Sequence, residues 1–318
     1  MGESDWRREL QQRLSGEIHF DEPADRYTSL GVGGSIDALV FPENATELAD
    51  AVAFLQRTGI AFTPVGNWTN LIVRGGGYRG VCVSLARLRN LTRTDRGDGE
   101  VWAEAEAGVP LPDLVVLSVR RALTGMEFCA GIPGSVGGAL RMNAGAYGAE
   151  IKDVCAQARL LAPGGIRTEP RETLRFTYRI LDLPTETIII GGTFRLTQGE
   201  PAQIAGRVRD ILAQRRDKHP LEFRNAGSIF KNPRSVPAGR LIEAAGLKGL
   251  RIGDAQVSEK HGNFIVNRGR ATAEEIVGLI GLVQERVFAA TGEILETEVK
   301  IIGEAAVAGS SGEMRDRP

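Results

Sequence analysis

The 318-residue sequence has few cysteines and histidines, no long apolar run and no excess of charge of one sign. Cys82, Cys129 and Cys155 are widely spaced and show neither CxxC nor zinc-ligand spacing. A disulfide framework and a cysteine metal site are therefore not expected. The sparse, odd count reads as reduced core thiols in a cytoplasm-like compartment. His19 and His219 have no ligand-like neighbours in sequence, and His261 gains no role from its spacing, so no metal is expected. No stretch reaches the roughly 18 apolar residues of a spanning helix. The opening MGESDWRRELQQRLSGEIHF is charged, helical in pattern and lacks the apolar region of a leader. A cytoplasmic protein without membrane contact is the expectation. With 39 Lys+Arg against 40 Asp+Glu, the formal charge is 39 − 40 = −1. That balance leaves no footprint for nucleic acid.

What the sequence does contain is glycine: 40 of 318 residues, well above the average of roughly 7%. There is no G-X-Y period, so the excess points to tight turns and close backbone approaches. At 42% hydrophobic and 25% charged the composition is that of a globular protein. The length suggests roughly two domains and a core that needs no staples.

Strands and helices alternate at first. ATELADAVAFLQRTG (45–59) places Leu48, Val52 and Leu55 at helical spacing, with Thr46 as cap and Gly59 as stop. The β-rich runs DALVFP, IAFTPVG and GVCVSLARL flank it, with GNWTN (66–70) and GGG (75–77) as loops where a ligand could approach the backbone. PDLVVLSVRRAL leads to the densest loop, AGIPGSVGGALRMNAGAYG (130–148), and then a strand meander to about residue 198. From Pro201 the character changes: AQIAGRVRDILAQRRDKHP is a helix with a basic last turn, stopped by Pro220. GRLIEAAGL, HGNFIVN, TAEEIVGLIGLVQERVFAATG and ETEVKIIG then read as helix, strand, helix and strand. The expected organisation is α+β. A helical lead (1–20) precedes a Gly-rich domain (21–198), a smaller α+β domain (199–303) and a small polar tail (304–318) expected to be disordered.

Two loops have the chemistry to hold a pyrophosphate, which needs consecutive backbone N–H groups and absent Cβ atoms where ligand and chain come close. One is Gly131–Gly138, with four glycines and Ser135 in eight residues; the other is Gly66–Asn70, with Asn67, Thr69 and Asn70 as side-chain donors. Neither is a Walker loop. The dinucleotide pattern G-x-G-x-x-G fails at Ile36 after starting at Gly31 and Gly33. Each loop alone reads equally well as a tight turn.

YTSLGVGG (27–34), the loop 65–73, AGIPGSVGGALRMNAGAYGAEIKDV (130–154), FTYR (176–179), RNAGSIFKNP (224–233), GRLIEAAGLKGLRIGDAQVSEKHGNFIVN (239–267) and LETEVKIIG (295–303) occur in that order. Together they strongly resemble the UDP-N-acetylenolpyruvoylglucosamine reductases, the flavoproteins that make UDP-N-acetylmuramate for bacterial cell walls. The resemblance covers nearly all of residues 27–303. It implies an FAD-binding domain of the vanillyl-alcohol-oxidase (PCMH) type followed by a substrate-binding domain. Non-covalent FAD, NADPH as reductant and UDP-N-acetylglucosamine-enolpyruvate as substrate are implied with it, and a monomer is expected. For FAD it points to Gly66, Asn67, Thr69, Asn70, Gly131, Ile132, Pro133, Gly134, Ser135, Gly137 and Gly138.

In the family's reaction the enolpyruvyl alkene accepts hydride only if an enolate-like intermediate is stabilised at its carboxylate and then protonated. By position in the matched motifs, Arg179 would clamp that carboxylate, as an always-ionised, bidentate guanidinium can. Glu298 would assist there in protonated form, with a pKa raised by burial and nearby negative charge, and Ser228 would donate the proton. Lys218, Lys231 and Asn232 would hold the diphosphate, with Tyr178 and Gln256 as further substrate contacts. Taken singly, Arg179 reads as a surface residue, Ser228 as a turn residue, Glu298 as the exposed face of an edge strand and Lys218 as a helix C-terminal charge. Glu296 competes with Glu298, but the family's Glu directly precedes a Val.

Three features depart from the common family pattern. Trp68 stands where a small residue is usual, so either the loop bends differently or the indole packs beside the flavin or a neighbouring wall. Leu181 replaces a Ser, which removes a supporting hydrogen bond near Arg179. Only 48 residues lie between Arg179 and Ser228, as in the short (type II) branch, which lacks the loop that carries a substrate-closing Tyr. Two other readings compete: another FAD oxidoreductase of this fold acting on an alcohol or sugar, and a non-catalytic nucleotide-binding protein that kept the fold.

Overall fold

The computed structural model describes residues 3–306 and separates into two compact units. The first comprises residues up to Phe20, Ala38–Thr69 and Gly80–His219; the second comprises Asp21–Asp37, Asn70–Arg79 and the chain from Pro220.

The first unit has two cores. In one, the helix Ala45–Thr58 buries Leu48, Ala51, Val52, Phe54 and Leu55, and Trp6, Leu10 and Leu14 of the N-terminal segment join it. The strands Phe62–Val65 and Tyr78–Ser84 pair in parallel with Phe62 opposite Val81. The helix stops at Gly59, in the left-handed region (φ 69°), as its sequence predicts. Its cap is not Thr46 but Asn44, whose Oδ1 accepts the N–H groups of both Thr46 and Glu47 at 3.0 Å. Asn44 sits in extended backbone one residue before the first helical turn, where a short carboxamide reaches two orphan donors.

The other core lies on an antiparallel sheet ordered Gly165–Pro170, Cys155–Ala162, Ile188–Gln198, Glu100–Glu106, Leu91–Gly97. Helices Leu111–Arg121 and Val136–Arg141 contribute Leu111, Leu114, Val136 and Leu140 to its apolar cluster. The compact unit extends to His219 rather than ending at 198. Helix Pro201–Lys218 buries Ile204 and turns Val208 and Ile211 onto this core, so the change of character at Pro201 is not a domain boundary.

The second unit is a four-stranded antiparallel sheet, Arg224–Asn225, Ile265–Asn267, Ala255–Val257, Arg251–Ile252. Helices Ala238–Ala244 and Ala273–Thr291 share its core. The longer helix is opened by a capping box between Thr272 and Glu275 and closed by Gly292. Residues 21–37 and 70–79 belong here because Leu30, Val32 and Ile72 are in this core. Leu71–Val73 also pairs in parallel with Lys300–Ile302. The GGG loop is structural: Gly75 N–H donates to Glu274, Gly76 N–H to Glu304 O and Gly77 N–H to Arg74 O. Of the expected disordered tail, the backbones of Glu304 and Ala306 make hydrogen bonds, and 307–318 lie outside the described residues. Cys82, Cys129 and Cys155 are buried and in no disulfide; burial pushes the Cys155 thiol up to about 12. No helix among the described residues is long and apolar enough to cross a membrane.

Candidate active site

Within the first unit the two glycine-rich loops meet. Thr69 Oγ1 donates to Pro133 O at 3.5 Å, and a Cβ on Gly66 would come within 2.5 Å of Ser135 Oγ. Only a residue without a side chain allows that approach. Ser135 is 2% exposed and precedes helix Val136–Arg141. The N–H groups of Val136 and Gly137 are engaged by Val109 O and Ala107 O, so Gly137 serves packing. Gly131, Pro133, Gly138 and Asn67 are exposed, and Ile132 is half-buried.

A residue the sequence shows only as part of a basic last turn stands behind this loop. Arg215 Cδ lies 2.8 Å from the position of a Cβ on Gly131, so any larger residue at 131 would displace it. The guanidinium hydrogen-bonds Tyr147, and its Nε is buried without a partner. Burial holds its pKa below the ordinary value, and Tyr147 opposes that shift. Residues 66–70 and 131–138 contain no carboxylate. A glycine cradle, exposed backbone and a half-buried cation fit the pyrophosphate of a dinucleotide.

Trp68 resolves one departure: it adopts the left-handed conformation (φ 54°) and is 7% exposed. Four of the seven non-glycine residues with positive φ among the described residues are Trp68, Asn143, Tyr147 and Arg179. Strained backbone of this kind collects where function over-determines geometry. Tyr178 and Arg179 form the two-residue turn of a hairpin, Arg175–Thr177 with Ile180–Asp182. The hairpin is tied down by Asn143 Nδ2, which donates to Thr177 O at 3.0 Å, and by Arg179 Nη1, which donates to Gly145 O at 2.9 Å. Leu181 is fully buried in the core, so an apolar anchor stands where a hydroxyl is usual. Tyr178 is 47% exposed, with the Arg179 guanidinium 5.5 Å from its ring centroid. Lys218 is exposed in the last turn of its helix.

Within the second unit, Ser228 and Glu298 lie on adjoining backbone. Glu298 N–H donates to Ile229 O at 2.7 Å, and Phe230 bridges Thr297. Ser228 and Glu298 are both half-buried. Asn70 Nδ2 donates to Glu298 O at 3.0 Å, so one of its amide donors holds Glu298 in place. Glu296 is turned away: its carboxylate pairs with Lys231 Nζ at 3.1 Å and is 72% exposed. Asn232 Oδ1 accepts Ala238 N–H, and Gln256, 8% exposed, donates to Gly249 O and Glu259. Both carboxamides thus shape the local chain.

Comparison with known proteins decides the family. Residues 219–302 match the family model "UDP-N-acetylenolpyruvoylglucosamine reductase, C-terminal domain", and residues 36–169 match an FAD binding domain. The chain is 52% identical over 297 residues to the UDP-N-acetylenolpyruvoylglucosamine reductase of Syntrophus aciditrophicus, covering 93% of this chain and 95% of that protein. The chain belongs to the UDP-N-acetylenolpyruvoylglucosamine reductase family. The reductase of Geobacter metallireducens is 45% identical, over 93% of this chain and 97% of that protein. The crystal structure of the reductase from Thermus caldophilus superposes with a TM-score of 0.76 at 33% identity, covering 91% of this chain and 99% of that one. The expected fold, a PCMH-type FAD-binding domain followed by the family's C-terminal domain, is the one found. The family's C-terminal match begins at 219, next to the start of the second unit's main segment at Pro220.

Proposed function

We propose that this protein reduces UDP-N-acetylglucosamine-enolpyruvate to UDP-N-acetylmuramate at the expense of NADPH, in the cytoplasm and as a monomer, for peptidoglycan precursor synthesis. The observation that carries the chemistry is the backbone pairing of Ser228's segment with Glu298's, with Glu296 paired instead to Lys231.

The acceptor alkene is conjugated to a carboxylate, so hydride adds to its terminal CH₂ and the electron pair moves onto the carboxylate as an enolate. Gly66, Asn67, Thr69, Asn70, Gly131–Ser135 and Gly138, with Arg215 behind the loop, would hold FAD, which would supply hydride transfer from NADPH when bound. Arg179 binds the substrate carboxylate and stabilises the charge as it develops. Its restrained hairpin turn suits this work, because a fixed donor needs no reorganisation as the charge forms. Protonated Glu298 adds a hydrogen bond at the same carboxylate, and Ser228 gives its hydroxyl proton to the carbon bearing the ether oxygen. That step completes the lactyl ether, and solvent returns the proton to the serine. Lys218, Lys231, Asn232, Tyr178 and Gln256 are proposed on the UDP side. A carboxylate-accepting guanidinium and a paired acid have no task in oxidising an alcohol or in mere nucleotide binding.

The test is anaerobic reduction of the purified flavoprotein with NADPH, followed by UDP-N-acetylglucosamine-enolpyruvate. Return of the oxidised flavin spectrum, with lactyl ether formed in step, is the expected result. Bleaching without reoxidation by this substrate would sink the proposal and leave a flavoenzyme with another acceptor.

A further inference from the structure

Asn263 lies in the SEKHGNF run and is 3% exposed. Its side chain grips the backbone that follows Ser228. Oδ1 accepts Phe230 N–H at 2.9 Å, and Nδ2 donates to Phe230 O at 2.8 Å. Asn263 O accepts Ile229 N–H at 2.9 Å. One carboxamide thus does for residue 230 what a neighbouring strand would do, offering C=O and N–H side by side. The opposite edge of the same segment is taken by Glu298 N–H on Ile229 O and Lys231 N–H on Glu296 O. Residues 229–231 are therefore clamped between Asn263 and 296–299, directly after Ser228.

Asn263 is itself fixed. Its backbone N–H donates to His261 Nδ1 at 3.2 Å, and the imidazole packs edge-on against Phe264, with ring centroids 4.9 Å apart. Burial lowers the His261 pKa, so the ring stays neutral and Nδ1 remains an acceptor. His261 N–H in turn reaches Ser258 Oγ.

We propose that Asn263 is a positioning residue for the protonation step, setting Ser228 against Glu298 through the backbone of residues 229–230. This rests on Ser228 being the proton donor. Only asparagine meets the requirement: aspartate loses the donor and sets a negative charge against Phe230 O, alanine loses both bonds, and glutamine pushes the segment outward by a methylene.

The experiment measures both half-reactions of the flavoprotein by anaerobic stopped flow, for Asn263→Asp and for Asn263→Ser, a shorter uncharged variant should the first not fold. The expected result is a flavin reoxidation by UDP-N-acetylglucosamine-enolpyruvate slowed roughly 10- to 100-fold, the scale set by an ångström-size misplacement. Its solvent deuterium isotope effect should rise, while reduction by NADPH and flavin content stay within about twofold. A parallel fall in both half-reactions, or a lowered melting point with reoxidation intact, would reduce Asn263 to a fold residue and overturn the inference. Ser228→Ala run alongside separates the two layers. If it reoxidises as fast as the parent protein, the donor assignment fails. If it is slow while both Asn263 variants are normal, only the positioning role fails.

Discussion

Trp68 carries two opposing energies, and replacing it by glycine sets them against each other. At φ 54° its backbone is in the left-handed region, where an L-residue is strained by about 1–2 kcal/mol. Glycine would relieve that strain. The indole, however, is 7% exposed, and truncating a buried Trp costs about 3–5 kcal/mol. Glycine also brings a looser unfolded chain, worth about 0.5–1 kcal/mol. Packing outweighs strain, so Trp68→Gly is expected to destabilise by about 3 kcal/mol. At roughly 2–3 °C per kcal/mol, the melting point should drop by about 6–9 °C. The measurement is thermal unfolding of the flavin-free protein, which keeps cofactor binding out of the comparison. A melting point equal to or above that of the parent would refute the reasoning, because it would mean that the packing of the side chain is worth no more than the strain that glycine relieves.

Leu181→Ser would restore the residue more usual in the family, yet in this protein it empties a fully buried site. A loss of about 3–5 kcal/mol, seen as a lower denaturation midpoint, is expected from the cavity and the buried hydroxyl together; an unchanged midpoint would contradict the apolar-anchor role. Asn44→Ala should cost about 1 kcal/mol in chemical denaturation and Thr46→Ala much less, since Asn44 makes both cap bonds; equal costs would restore Thr46 as cap. Glu274 is subject to burial, which raises its pKa, but the N–H groups of Gly75 and Ala306, together with Arg74, outweigh this and hold it below the ordinary value of 4.5. A depressed folded pKa gives stability that is present above the unfolded pKa and lost as pH falls through the folded one. Glu274→Gln should therefore flatten the stability-against-pH curve below about pH 4.5, and an unaltered acid limb would refute it.

Much of this was readable from sequence because it is local. The helices 45–58 and 273–291 show their apolar spacing and their glycine stops. The loop Gly131–Gly138 stands out through its glycine content and the loop Gly66–Asn70 through its side-chain donors, and the ordered motifs supply the rest of the reading. What stays hidden is non-local. Segments 21–37 and 70–79 join the second unit by pairing and core contacts that leave no mark on their own composition. The bond from Asn70 to Glu298 spans 228 positions. Arg215 looks like an ordinary charge closing a helix until Gly131 is seen folded onto its stem. Asn263 has no legible signal, since a carboxamide that replaces a strand has no periodicity. Among the mistaken local expectations, Thr46 as cap came from placing the helix start two residues late, and boundaries depend on which of several short polar residues has the extended backbone.

Arg179 joins strain and chemistry in one residue, and its replacement by glycine tests whether the two are separable. The change relieves a left-handed backbone (φ 60°), worth about 1–2 kcal/mol. It loses the bond to Gly145 O, worth about 1–1.5 kcal/mol, and adds about 0.5–1 kcal/mol of chain entropy. These nearly cancel, so the melting point should move by no more than about 2–3 °C. Reoxidation of reduced flavin by the enolpyruvyl substrate should fall roughly 10²- to 10³-fold, the usual consequence of removing a preorganised donor from a developing charge. Stability held and turnover lost would mean that the strain is tolerated for the sake of where the guanidinium is held. If the protein is instead strongly destabilised, with residual activity tracking the folded fraction, Arg179 is a strut between its hairpin and residue 145, and the carboxylate clamp must be sought elsewhere.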